Sequence, residues 1–149
     1  MLTIDGSHLE GGGQILRMAV TLATLTGKAM EITRIRAGRP RPGLAAQHVA
    51  AVRAVGMTCD ATCQGLAVGS ERLCFRPSEP RKTDLSIDVG TAGSVSLVIQ
   101  AWLPIAQWVG GSITVRGETE VEHSPAIDYL EQVFLPCLRA AGAKITLIT

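Results

Sequence analysis

The sequence predicts an α+β fold built from a repeated βαβαββ unit, and three observations carry that expectation. Short strand-like stretches alternate with longer stretches of helical apolar spacing along the 149 residues. Glycine turns stand between strand and helix at Gly11, Gly12 and Gly13 and again from Gly90 to Gly93. Landmarks also recur. Ile4-Asp5-Gly6 matches Ile87-Asp88-Val89-Gly90, Ile32-Thr33 matches Ile113-Thr114, and Ala54-Val55-Gly56 matches Ala140-Ala141-Gly142, at offsets of about 81 to 86 residues. That period is far beyond those of solenoid repeats.

The elements follow in order. A first strand ends at Ile4-Asp5-Gly6, and the glycine triplet opens a helix with Ile15, Leu16, Ala19, Val20, Leu22, Ala23 and Leu25 at helical spacing. Gly27 closes it as a C-terminal glycine. Residues 30–35 alternate like a half-buried strand. A second helix starts after Pro42-Gly43 and ends at Gly56, and strands are expected at 58–62 and 72–75. The most polar stretch, 77–83, divides a first unit at 1–78 from a second at 84–149. In the second unit, strand 85–89 leads through the Gly90 to Gly93 turn into a helix running to about Val109. Strand 112–116, a helix from Pro125 to Gly142, and strand 144–148 complete the order. The second unit stops after its third strand, so it is expected to be incomplete.

Composition supports a folded, membrane-free protein. Apolar residues make up 46% and charged residues 18%, while aromatics are only 3%, which predicts a close-packed aliphatic and alanine-rich core. The longest apolar stretch, 92–109, is interrupted by Gly93, Ser94, Ser96, Gln100, Pro104 and Gln107, so no membrane span is expected. The first residues have neither the basic start nor the apolar run of a signal peptide. Cys59, Cys63, Cys74 and Cys137 form no CxxC pair; buried free thiols are favoured over a metal site or disulfides. A reduced, cytoplasmic setting is therefore expected.

The net charge is only +1, but it is unevenly placed. Arg34, Arg36, Arg39, Arg41 and Arg53 fall between Ile32 and Met57 without an acid, and five acids lie from Glu118 to Glu131 without a base. The arginines flank Gly38, Pro40, Pro42 and Gly43, a turn-rich segment. That placement favours a local anion site over a solvated face, because arginine carries a fixed fork that matches phosphate. Three segments could serve such a site. In Glu10-Gly-Gly-Gly-Gln14-Ile-Leu-Arg17, the glycines let backbone N–H groups approach an anion at a helix start. Glu10 beside them would repel phosphate unless a divalent cation bridged the two. Arg17 lies two turns along the same helical face. In Arg36-Ala-Gly-Arg39, the two guanidinium groups could clamp phosphates, and Gln47-His48 follows on the next helix. Gly90-Thr-Ala-Gly-Ser94 is a second glycine turn, with Gln100 two turns beyond it in a place analogous to Arg17. His48 reads better as a satisfied core or supporting group than as a ligand, and His8 and His123 as surface residues. A Walker loop, a Ser/His/Asp elbow, zinc-ligand spacing and an aromatic nucleic-acid platform are all absent from the sequence.

These strings resemble the RNA 3′-terminal phosphate cyclase family: Ile-Asp-Gly-Ser, Glu10-Gly-Gly-Gly-Gln-Ile-Leu-Arg17, Ile35-Arg-Ala-Gly-Arg39, Pro-Gly-Leu44, Gln47-His48, Gly90-Thr-Ala-Gly-Ser94, Gln100 and Ser124-Pro125, in unbroken order. The resemblance implies βαβαββ units like the C-terminal domain of translation initiation factor 3, a unit that recurs in enolpyruvyl transferases. It implies ATP-dependent conversion of an RNA 3′-terminal phosphate to a 2′,3′-cyclic phosphate through histidine–AMP and RNA–adenylate intermediates. ATP and Mg²⁺ or Mn²⁺ would be the cofactors and RNA 3′-phosphate ends the partner. Carried over by position, Glu10 is the metal and phosphate residue. Arg17, Arg39 and Gln100 contact phosphate, with Gln14, Arg36 and Gln47 beside them, and Pro125 packs against the adenine. Family members run to more than twice this length, and their nucleophilic histidine has no match in His8, His48 or His123. This chain therefore corresponds to their N-terminal part, and self-association, or a partner supplying the remainder, is expected. A non-catalytic RNA-binding or ribosome-assembly paralogue is the alternative, and such paralogues lack the Glu-Gly-Gly-Gly-Gln string. A fragment like an enolpyruvyl transferase is the weaker third reading.

Overall fold

A computed structural model describes residues 1–9, 11–90 and 93–148. Strand β1 (Leu2–Asp5) leads through the glycine turn into helix α1 (Gly13–Thr26), and the chain returns as β2 (Met30–Thr33), parallel to β1. Helix α2 (Ala46–Thr58) follows, and then β3 (Thr62–Gln64) and β4 (Leu73–Arg76) form a hairpin. β4 runs antiparallel to β2, giving a four-stranded mixed sheet of order β1-β2-β4-β3. A second, two-stranded sheet pairs β5 (Thr83–Asp88) in parallel with β6 (Gly111–Arg116), joined by helix α3 (Val95–Val109). The chain then enters α4 (Ile127–Tyr129), a π-helical stretch (Leu130–Phe134) and α5 (Leu135–Ala140). The fold is mixed α+β, as the alternation of patterns predicts.

Alternation and periodicity put the apolar faces inward. Met30 and Ile32 of β2 and Leu73 and Phe75 of β4 are fully buried beneath Leu16, Val20 and Ala23 of α1. α2 packs against both α1 and α3 and reaches β5, so Val52 and Val55 share one continuous core with Leu85, Ile87, Val98 and Ile105. Buried hydroxyls join the helices. Trp102 Nε1–H donates to Thr58 Oγ1 at 3.0 Å between α3 and α2. The Thr21 hydroxyl of α1 lies 2.8 Å from the Ala101 carbonyl of α3. α1 ends as expected, with Gly27 left-handed at φ +65° and its N–H bonded to the Thr24 carbonyl.

Four expectations need correction. The strand expected at 58–62 is displaced to Thr62–Gln64, because α2 runs past Gly56 to Thr58. Gly56 lies inside the helix, and a Cβ on it would meet Ala61, Phe75 and Cys63 at ordinary contact distances of 3.7 to 3.9 Å. The turn comes instead at left-handed Asp60, φ +45°. The strand expected at 144–148 is absent among the described residues. Its alternation finds no neighbouring strand, and the Ile145 carbonyl accepts from Arg139 Nε at 2.9 Å, folding the segment back along α5. The helix expected from Pro125 to Gly142 starts at Ile127 and shifts register in the middle. Leu135 N–H bonds to the Leu130 carbonyl, five residues back, immediately before Pro136, which has no N–H to give. Finally, the four cysteines are free, but only Cys59 and Cys74 are buried; Cys63 is half-buried and Cys137 exposed.

Candidate functional site

The turn after β1 and the loop between β2 and α2 lie against each other at one end of the four-stranded sheet. Gly6 N–H donates to the Thr33 carbonyl at 2.8 Å, carrying the β1–β2 pairing one step past the strands. Asp5 Oδ1 accepts from both the backbone N–H and the hydroxyl of Ser7, at 2.9 and 2.7 Å, and Arg34 reaches back to Asp5 Oδ2 at 3.4 Å and to the Ser7 hydroxyl. Arg34 and Arg36 are both left-handed, φ +54° and +55°, on either side of buried Ile35. The chain turns sharply there and brings its arginines over the glycines.

The glycine triplet is lined one residue at a time. A Cβ on Gly11 would meet the Gly6 carbonyl oxygen at 3.2 Å and the backbone of Ser7 and Arg36 at 3.4 and 3.6 Å, one on Gly12 would lie 3.6 Å from Arg39 Nη2, and one on Gly13 would fall 2.0 Å from His48 Nε2. The third position admits no side chain while His48 stays in place. Gly12 caps α1 and has no side chain to accept from the first helical N–H groups. Arg17 is buried one turn inside α1, where Nη2 donates to Gln14 Oε1 at 2.9 Å. Burial lowers its pKa, yet guanidinium remains cationic at neutral pH. Arg36 Nη1 donates to the Gly43 carbonyl at 2.8 Å, and burial together with neighbouring Arg39 lowers its pKa. His48 Nδ1 accepts the Ala45 N–H at 3.0 Å, so the neutral ring carries its proton on Nε2, the nitrogen against Gly13. Burial, then the charges of Arg17 and Arg36, hold its pKa down to about 4.

The remaining sequence-predicted residues divide. Gln47 joins the two halves, its Oε1 accepting the N–H of Ser94, the N-cap of α3, at 3.2 Å. Gln100 is half-buried on α3, one residue before the Ala101 carbonyl that meets Thr21. Pro125 is half-buried ahead of α4, and among the described residues no hydrogen bond or ion pair joins its segment to the arginine loop. Glu10, and Thr91 and Ala92 of the second glycine turn, lie outside the described residues. His8 and His123 are exposed, as expected. From sequence, Asp5, Ser7, Gly43 and Ser94 appear only as members of turn segments, with no role of their own. Only Asp5-Gly6-Ser7 carries a local signal, that of an aspartate turn after a strand.

The guanidinium groups of Arg39 against Gly12, of buried Arg17 within the same helix and of Arg36 at the Gly43 carbonyl suit a polyphosphate. They do not suit a free cation. Among the described residues no group of three or more His, Cys, Asp or Glu side chains gathers to hold a metal. Among those same residues, no helix is long and apolar enough to cross a membrane.

The family model for RNA 3′-terminal phosphate cyclase matches residues 8–149. An RNA 3′-terminal phosphate cyclase of Saccharolobus islandicus is 50% identical over 151 residues, covering 99% of this chain and 45% of its own length. One from Methanococcoides burtonii is 45% identical over 146 residues, covering 97% of this chain and 44% of its own. One from Nitrosospira multiformis is 44% identical over 146 residues, covering 97% and 41%. The chain thus spans less than half the length of these curated relatives. With nearly every residue of the chain matched, it belongs to the RNA 3′-terminal phosphate cyclase family.

Proposed function

We propose that residues 6–17 and 34–48 form the polyphosphate-binding part of an enzyme that converts an RNA 3′-terminal phosphate to a 2′,3′-cyclic phosphate at the expense of ATP. The observation that carries this reading is the packing of the glycine triplet under the arginine loop, with Arg39 Nη2 against Gly12 and His48 Nε2 against Gly13. In the reaction, a histidine nitrogen attacks the α-phosphorus of ATP and pyrophosphate leaves. The adenylyl group passes to an oxygen of the RNA 3′-phosphate, freeing the histidine. The adjacent 2′-hydroxyl then attacks that phosphorus, losing its proton, and AMP leaves. Each step moves negative charge between phosphoryl oxygens, and fixed guanidinium and N–H donors stabilise such charge without reorganising. On this reading Arg17, Arg36 and Arg39 neutralise the triphosphate and the departing pyrophosphate. Gln14 and Gln47 orient their neighbours, and Gln100 and Pro125 belong to the nucleotide's outer contacts. Glu10 would join a Mg²⁺ or Mn²⁺ ion to the phosphates. The nucleophile is assigned to none of His8, His48 and His123; His48 is committed to Ala45 and held neutral.

The same reading takes β5–α3–β6 as the opening of a second unit at 84–149 that repeats β1–α1–β2 of the first at 1–78. Parallel pairing around a helix in both supports it. Calorimetric titration of ATP with Mg²⁺ or Mn²⁺ tests the site. Arg39→Ala should weaken binding by about 1 to 3 kcal/mol, the loss expected for a charge-assisted contact. Equal affinities would remove Arg39 from the site.

A further inference from the structure

The loop that carries Arg36 and Arg39 is exposed from Ala37 to Pro42, and its far end rests on the turn between β3 and β4. Leu44 N–H donates to the Ser70 carbonyl at 2.9 Å, and Gly69 N–H returns to the Leu44 carbonyl at 2.8 Å. On the near side, Ile35 N–H donates to the Glu71 carbonyl at 3.0 Å, and Gly43 N–H closes the loop on the Ile35 carbonyl at 2.8 Å. The approach is so tight that a Cβ on Gly43 would fall 2.3 Å from the Gly69 carbonyl oxygen. The turn is itself braced: Ser70 Oγ donates to the Arg72 carbonyl at 2.7 Å, and Arg72 Nε donates to Glu31 Oε1 of β2 at 2.7 Å. Gly43 is also the residue whose carbonyl accepts Arg36 Nη1. A displacement of Gly43 therefore moves a guanidinium directly.

We propose that Gly43 and the β3–β4 turn at 69–71 act as a clamp that sets where Arg36 and Arg39 stand over the glycine triplet. Gly43 is its positioning residue. This rests on the reading of the arginine loop as a polyphosphate site. Without the clamp the arginines would sit on an exposed loop that a ligand must first order, and ordering weakens binding.

The test compares Gly43→Ala with Gly27→Ala by titration of tripolyphosphate. Both glycines are left-handed, φ +79° and +65°, so alanine strains the backbone at each, but Gly27 ends α1 outside the clamp and a Cβ on it has open space. Gly43→Ala is expected to weaken tripolyphosphate about tenfold or more while Gly27→Ala stays within about twofold of the parent, as misplacing a binding group predicts. Equal weakening, or none at Gly43, overturns the clamp. Amide hydrogen exchange on the unaltered chain keeps the test independent of whether Gly43→Ala folds. Tripolyphosphate is expected to slow exchange at Gly69, in the turn, together with Gly43 and Leu44 in the loop. Slowing confined to the loop overturns the clamp. No binding by the unaltered chain removes the polyphosphate reading itself; faster exchange at Leu44 and Gly69 in Gly43→Ala would then still uphold the mechanical link, and unchanged exchange would end it.

Discussion

His48 shows how one side chain ties local structure to stability. Its ring fills the space a side chain on Gly13 would need, and its Nδ1 is committed to the Ala45 N–H. Burial disfavours the charged ring, and protonation would place a third positive charge beside Arg17 and Arg36, so its pKa falls from 6.5 to about 4. Between those two values the unfolded chain holds a proton that the native chain does not. Native stability is therefore complete above pH 6.5 and declines as pH falls toward 4, by on the order of 3 kcal/mol at the lower end. Urea midpoints measured across that range should fall for the parent and stay flatter for His48→Gln, whose amide oxygen can accept the same N–H. Parallel curves would show that another group governs the acid limb. The site around His48 was partly legible in the sequence, because glycine, proline and arginine mark an anion-binding turn by chemistry alone. The clamp from Gly69 to Glu71 was not. A backbone hydrogen bond between Leu44 and Ser70 leaves no trace in residue type.

At the scale of elements, the helices are held together as much by buried hydroxyls as by shape. Thr58 is wholly buried and serves as acceptor for Trp102 across the α2–α3 interface, while its own hydroxyl donates to the Ala54 carbonyl at 2.9 Å. Thr58→Val keeps the volume and removes the acceptor, leaving a buried indole N–H unpaired. Chemical denaturation should show a loss of about 1 to 3 kcal/mol, and an unchanged midpoint would mean that Trp102 finds another partner. This bridge also explains a misplaced boundary. Glycine at 56 reads as a helix stop, yet tertiary contacts draw the helix on to Thr58, and propensity yields to packing. Helix α1 is legible at both ends because its signals are local: a glycine entry, an unbroken apolar spacing and Gly27 at its exit. The π-helical shift before Pro136 and the strand missing from 144–148 depend on neighbours, which periodicity does not report.

Across the whole molecule, the two sheets are unequal in completeness. Every strand of the four-stranded sheet comes from residues 2–76, whereas β5 and β6 pair only with each other among the described residues. A two-stranded parallel sheet is uncommon, since parallel strands are normally covered and flanked. Its open edges are places where another strand can add. We accordingly expect this chain to associate with a second copy at tens of micromolar, and light scattering should return a mass above the 15.7 kDa of one chain; a strictly monomeric mass would count against that expectation. The shared core has a further consequence, in the order of synthesis. Residues 1–78 emerge from a ribosome first and contain a complete sheet with both of its helices, whereas α3 finds its buried partners, Thr58 and Thr21, on helices already made. Expressed separately, 1–78 should give dispersed, protected amide signals, and 84–149 should give a collapsed spectrum until the first piece is added. The earlier half would then act as a template for the later one, so that the direction of translation is also the direction in which structure is handed on.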